Sequence, residues 1–227
     1  MKHRKIGFVV AEQAECEPLC RLTQARQEER FGRCVYRFER SGIDCLAMLC
    51  GVGKSNAAAA AAYLIAEGAD LLISIGYSGG ISGVRRGETA LATRFVEHDF
   101  DLTPLGYAPA QRPEEPWIYP ADEEANALLL SVFGHLRTGT MVTGDCFVCD
   151  DGKRQELADR FGAVSCDMET AAVAGVGYRA GVGTVAIRCI SDDAGNNANA
   201  LYREVSVGYE ESAAEMALIL IDKLSEA

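Results

Sequence analysis

The chain has 227 residues, 48% hydrophobic and 24% charged, the balance of an ordinary globular protein able to bury a sizeable core as one domain, 1–227. Its formal net charge of −11 argues against nucleic acid as a partner, because a face for phosphodiesters needs clustered basic residues, and leaves a small molecule as the easier partner. No stretch is long and apolar enough to span a membrane.

In chain order, the apolar run in "MKHRKIGFVVAEQ" follows a basic start, as in a secretion signal, but Glu12 ends it too early for such a region, so it reads as a strand over 5–11. A helix over 15–30, a strand over 44–50, a helix over 54–67 and a strand over 70–75 follow. Next come a strand over 89–97, an irregular proline-rich stretch over 102–120 and a helix over 121–133. A strand over 139–142, a helix over 152–161, a strand over 163–166, a helix over 169–180, a strand over 183–190 and a helix over 205–225 complete the chain. Apolar runs alternating with helical patterns predict a layered α/β domain with a largely parallel sheet.

Nine cysteines raise the question of disulfides, but Cys45, Cys50, Cys166 and Cys189 lie inside apolar runs, where reduced cysteine acts as a small hydrophobe, and Cys16 and Cys20 read as structural. That usage fits a cytosolic protein. The one C-x-x-C, Cys146 to Cys149, has no second pair or nearby histidine to complete a zinc set, so no metal is expected. "GVGKSNAAAAAA" superficially resembles a nucleotide-binding loop, but Met48 stands where the motif needs its first glycine; a tight turn into an alanine-rich helix fits better. "SIGYSGGISG" is a glycine-rich turn after a strand, where a ligand can approach the backbone.

Acids follow several of the predicted strands: Glu15, Asp99 with Asp101, Glu169 and Asp192. Carboxylates at several strand ends suggest one shared site at the carboxyl edge of the sheet. Glu169, in "VSCDMETAAVAGVGYRAG", has two readings: a carboxylate that caps the following helix, or one that faces the pocket.

The order of "IGFVVAEQAECEPL", "CGVGKSNAA", "SIGYSGGISG", "VEHDFDLTPLGYAPAQRPEEP", "TGDCFV", "CDMETAAVA" and "IRCISDDA" resembles the nucleoside phosphorylase and nucleosidase family over nearly the whole chain. Its bacterial nucleosidases for 5'-methylthioadenosine and S-adenosylhomocysteine are the nearest in pattern. The resemblance implies a three-layer αβα sandwich around a mixed, largely parallel sheet, and hydrolysis of the N-glycosidic bond of a 5'-modified adenine nucleoside without a cofactor. It assigns Glu15 to activation of water, Asp192, placed by Ser191, to protonation of the purine, and Glu169 to the ribose hydroxyls. Met168 then lies under the sugar, Phe147 stacks on the base and the Val148 backbone meets its edge. Tyr77 and Gly79 in the glycine turn, with Val52 and Tyr202, are further candidate walls. The resemblance also implies a homodimer, the loop around Leu105 and Tyr107 completing a neighbour's pocket, with His98 structural or at the dimer edge.

Departures leave alternatives open. Tyr77 replaces the serine of the nucleosidase turn, and Glu12 replaces an apolar methionine, so a binding module without turnover stays in view beside the enzyme. Phosphorylases carry an arginine where this chain has Ser74; Arg21 lies off the expected phosphate position, and Arg85 and Arg86 read as solvated hairpin charges, which favours water over phosphate as nucleophile.

Overall fold

The computed structural model of the chain describes residues 5–204 and 209–226. Strand β1 (Lys5–Val10) sits between two strands parallel to it, β4 (Ile43–Leu49) and β5 (Leu71–Gly80). Beyond β4, β3 (Arg33–Arg40) and β2 (Arg26–Arg30) run antiparallel to the sheet edge. On the other side β5 pairs with both β10 (Gly183–Asp192) and β9 (Ala163–Asp167). Because β10 pairs with β6 (Thr89–Glu97), β6 with β8 (Arg137–Thr143) and β8 with β9, these five strands close on themselves; β7 (Ile118–Pro120) lies against β6. The α/β class and mixed sheet agree with expectation, but the sheet is not largely parallel: five pairings are parallel and five antiparallel. The expected three-layer sandwich also differs in detail, because the additional β10–β5 pairing closes one end of the sheet like a barrel.

The alternation of β-strand side chains divides the core. Ile6, Phe8 and Val10 point to the face covered by α1 (Gln13–Thr23), α3 (Glu123–Val132) and α7 (Tyr209–Glu226), together with Ile73 and Val185. Val9 and Leu72 point to the opposite face, under Ala57, Ala60 and Leu64 of α2 (Lys54–Ala66) and Val173 of α5 (Thr170–Ala180). Leu157 of α4 (Asp151–Phe161) packs on Val142 and Ala163. Each such aliphatic side chain contributes about 1.5–3 kcal/mol by burial, which is what fixes strand register.

Several boundaries depart from the sequence expectation. The first helix stops at Thr23, where Gln24 adopts a left-handed conformation (φ 52°), and the predicted helical stretch to 30 is instead β2. Phe31 and Gly32 (φ 53° and 68°) form the turn into β3, the pair of positive φ values a tight hairpin needs. The glycine turn after Ile75 is strand: β5 continues to Gly80 because its backbone pairs with β10 on one side and β9 on the other. A short helix α6 (Ala198–Arg203) was not expected; of the helix predicted over 205–225, positions 205–208 lie outside the described residues.

Candidate active site

The carboxyl ends of β1, β5, β9 and β10 surround a cleft that opens on one side to solvent. All eleven residues named from sequence line it: Glu15, Asp192, Glu169, Met168, Phe147, Val148, Ser191, Tyr77, Gly79, Val52 and Tyr202. Glu12, Asp167, Ser78 and Cys166 line it as well.

Glu15 opens α1 immediately beyond β1 and is 4% exposed. Its two carboxylate oxygens accept backbone N–H groups from Tyr77 (2.7 Å) and Glu12 (2.8 Å), which fixes the side chain across the end of β5. Burial pushes its pKa up to about 7 against the pull of Arg188 and those N–H groups, and the Glu169 charge adds to the rise. Gly76 (φ +149°) makes this arrangement possible, since a Cβ there would collide with Glu15 Oε1 and Arg188 Nη1.

The two acids of "CDMET" divide the roles that one residue seemed to offer. Asp167 is the cap: its Oδ1 accepts the N–H groups of Glu169 and Thr170 (both 3.0 Å), and its Oδ2 accepts the Thr170 hydroxyl (2.6 Å). Glu169 makes no capping bond; its Oε1 accepts the Gly53 N–H (2.9 Å) from the start of α2, and its carboxylate faces the cleft. Burial raises its pKa, opposed by Arg188.

Asp192 ends β10, where an irregularity after Ile190 turns its side chain inward at 2% exposure. Its Oδ2 accepts the Ser191 hydroxyl (2.7 Å) and its Oδ1 the Ala194 N–H (2.8 Å). Burial raises its pKa against both of these bonds. Gly79 keeps the approach open, for a Cβ there would stand 3.0 Å from Asp192 Oδ1.

Arg188 was not anticipated. At 1% exposure it lies behind the cleft wall, 3.4 Å from Asp167 and 3.7 Å from Glu169, and donates to the Ser74 hydroxyl at 3.0 Å. The signal was present in "VAIRCIS", since an arginine inside an apolar strand is buried only when anions receive it.

Phe147, Tyr202 and Tyr77 form a chain of edge-on rings along one wall, with centroids 5.7 Å and 6.0 Å apart. Arg86 corrects an expectation: far from being a solvated hairpin charge, it is half-buried and donates to the Ser191 carbonyl (3.0 Å) and the Leu201 carbonyl (2.9 Å), tying the Asp192 strand to α6. Arg85 is exposed, and Arg21 pairs with Glu211 on the surface. Asp99 and Asp101 do not join the cleft. Asp99 instead holds the Lys54 ammonium (2.6 Å) and the Asp145 N–H (2.9 Å), bracing the loop that carries Phe147, while Asp101 accepts the Thr103 N–H at 2.7 Å. His98 is buried beside Gly144, outside the cleft. Among the described residues, no cluster of three His, Cys, Asp or Glu side chains is placed to hold a metal.

A model of the Phosphorylase superfamily matches residues 5–224. The chain belongs to that superfamily. A 5'-methylthioadenosine/S-adenosylhomocysteine nucleosidase of Geobacillus sp. (strain WCH70) is 30% identical over 232 aligned positions, covering 98% of this chain and 100% of the relative. The nucleosidase of that name from Neisseria meningitidis, solved in complex with methylthio-immucillin-A, superposes with a TM-score of 0.91 at 28% identity, covering 97% of this chain and 99% of its own. The futalosine hydrolase of Helicobacter pylori shares the fold, with a TM-score of 0.93 at 24% identity over 97% of this chain and 98% of its own.

Proposed function

We propose that this superfamily member hydrolyses the N-glycosidic bond of a 5'-substituted adenine nucleoside of the methylthioadenosine or S-adenosylhomocysteine type, releasing adenine. The observation that carries this reading is the convergence of Glu15, Glu169 and Asp192, distant in sequence, on one cleft. Cleavage builds positive charge on the sugar and negative charge on the departing base, so carboxylates beside the sugar and a proton donor at the base lower the barrier together. Glu169 accepts the ribose hydroxyls, with Met168 beneath the ring; the purine lies between Phe147 and the Val148 backbone. Glu15, titrating near neutrality, takes a proton from water as its oxygen bonds to C1'. The C1'–N bond breaks, its electron pair stays on the purine, and Asp192, whose carboxyl burial shifts toward the protonated form, supplies the proton.

Water is favoured over phosphate as nucleophile by the charge of the lining. Five acids (Glu12, Glu15, Asp167, Glu169 and Asp192) face the cleft, and among the described residues no Lys, Arg or His does. A phosphate dianion would meet repulsion there without a guanidinium to receive it. Apolar surface at the rim, on half-exposed Val52 and Phe147, supports a homodimer in which a second copy covers the mouth. Nine free cysteines support a reducing, cytoplasmic setting. The test is adenine release from 5'-methylthioadenosine in phosphate-free buffer. Release only with phosphate makes the protein a phosphorylase, and binding without release makes it a binding module.

A further inference from the structure

We propose that Glu12 is a specificity-determining residue, making the cleft prefer a nucleoside whose 5' substituent carries a protonated amine and reject one that carries an anion without an amine. The proposal rests on the reading that the cleft binds a nucleoside. Glu12 occupies the cap position before α1, with extended backbone (φ −118°, ψ 153°), where it forms a capping box with Glu15 while its side chain also lines the cleft. Its carboxylate accepts the Tyr202 hydroxyl, and the Tyr202 ring is held edge-on between Phe147 (5.7 Å, 71°) and Tyr77 (6.0 Å, 84°). The Glu12 backbone N–H donates to Glu15 at 2.8 Å, so the residue is fixed at both ends.

Placement follows from what the other walls already do. With the ribose hydroxyls on Glu169, the base at Phe147 and Asp192, and C1' toward Glu15, the 5' substituent lies against the wall of Ala11, Glu12, Val52 and Tyr77, which Tyr202 joins to Phe147. Glu12 is the one charged group on that wall. A carboxylate there attracts an ammonium and repels a carboxylate or phosphate. Among the described residues no cation lines the cleft to offset it, and Arg188 is engaged by Asp167 and Ser74 behind the wall. Tyr202 anchors the carboxylate; it does not neutralise it.

The experiment compares kcat/KM for three adenine nucleosides that differ only at the 5' position: 5'-amino-5'-deoxyadenosine, 5'-methylthioadenosine and adenosine-5'-carboxylic acid. The wild-type protein should prefer the amine over the carboxylate, and Glu12→Gln should reduce that ratio at least about tenfold, the usual weight of a hydrogen bond to a charged group. Tyr202→Phe, which removes the anchor and keeps the charge, should preserve the ratio even where overall activity falls. Two results overturn the proposal: a wild-type preference for the carboxylate, or a loss in Glu12→Gln that is equal across all three, as a purely structural latch would give. If none of the three releases adenine, hydrolysis fails as a reading, and calorimetric affinities for the same trio decide the charge preference separately. Absence of binding by all three overturns both.

Discussion

Replacing Asp192 by Asn removes a transferable proton while leaving every local hydrogen bond a successor. In the native site Asp192 Oδ1 accepts the Ala194 N–H at 2.8 Å and Oδ2 accepts the Ser191 hydroxyl at 2.7 Å, and Ser191 Oγ lies 3.3 Å from the Ser78 carbonyl. In the variant the amide oxygen keeps the Ala194 bond, the amide NH₂ donates to Ser191 Oγ, and the Ser191 proton turns to the Ser78 carbonyl. With no buried group left unpaired, stability should change by less than about 1 kcal/mol. Loss of a general acid should lower kcat about 10²- to 10⁴-fold, roughly 3–5 kcal/mol of barrier, with KM little altered. Steady-state adenine release and thermal unfolding on the same preparation read both quantities. A kcat within tenfold of wild type at an unchanged Tm would refute the proton-donor role.

Glu15 predicts two pH dependences of opposite sense. As a base it must be ionised, so kcat/KM should rise as pH increases through about 7. As a buried carboxyl raised from 4.5 to about 7, it binds a proton in the folded state that the unfolded chain has released, so its stabilisation is complete below pH 4.5 and lost as pH rises through 7. Wild type should therefore lose about 3 kcal/mol relative to Glu15→Gln between those pH values, measured by denaturant titration; parallel curves would contradict this. Glu169→Gln should cost ribonucleosides about 10- to 100-fold in kcat/KM and 2'-deoxy analogues much less, and an equal loss on both would count against its contact with the diol. Arg86→Ala, which frees the Ser191 and Leu201 carbonyls, should lower kcat about 5- to 30-fold, whereas wild-type kinetics would return Arg86 to the surface charges.

How much of this was readable beforehand depended on where the signal lay. The apolar strands around β1 announced themselves because both faces are covered by helices, which demands uninterrupted Val, Ile and Leu. The hairpin of β2 and β3 did not, because an edge strand such as "RQEER" keeps its charges in solvent and carries no apolar alternation. The glycine-rich end of β5 read as a turn, since its strand character comes from partners more than 80 residues away in the chain (Cys166, Cys189 and Asp192 opposite Gly79 and Tyr77). The eleven residues that the family pattern places in the site share the cleft, because motif order records which strand ends meet, whereas Asp99 and Asp101, also expected after a strand end, lie outside it. Arg188 and Arg86 escaped because a charge in an apolar run and a charge in a loop reveal their partners only in three dimensions.

Hydrolysis in H₂¹⁸O with 5'-methylthioadenosine and no phosphate puts the central claim to its most direct test. Adenine and sugar should appear in equal amounts, with one ¹⁸O on C1 of the sugar, and Glu15→Gln should suppress both products together. Unlabelled sugar, a sugar 1-phosphate formed only when phosphate is added, or unimpaired turnover by Glu15→Gln would contradict the water-activating cleft.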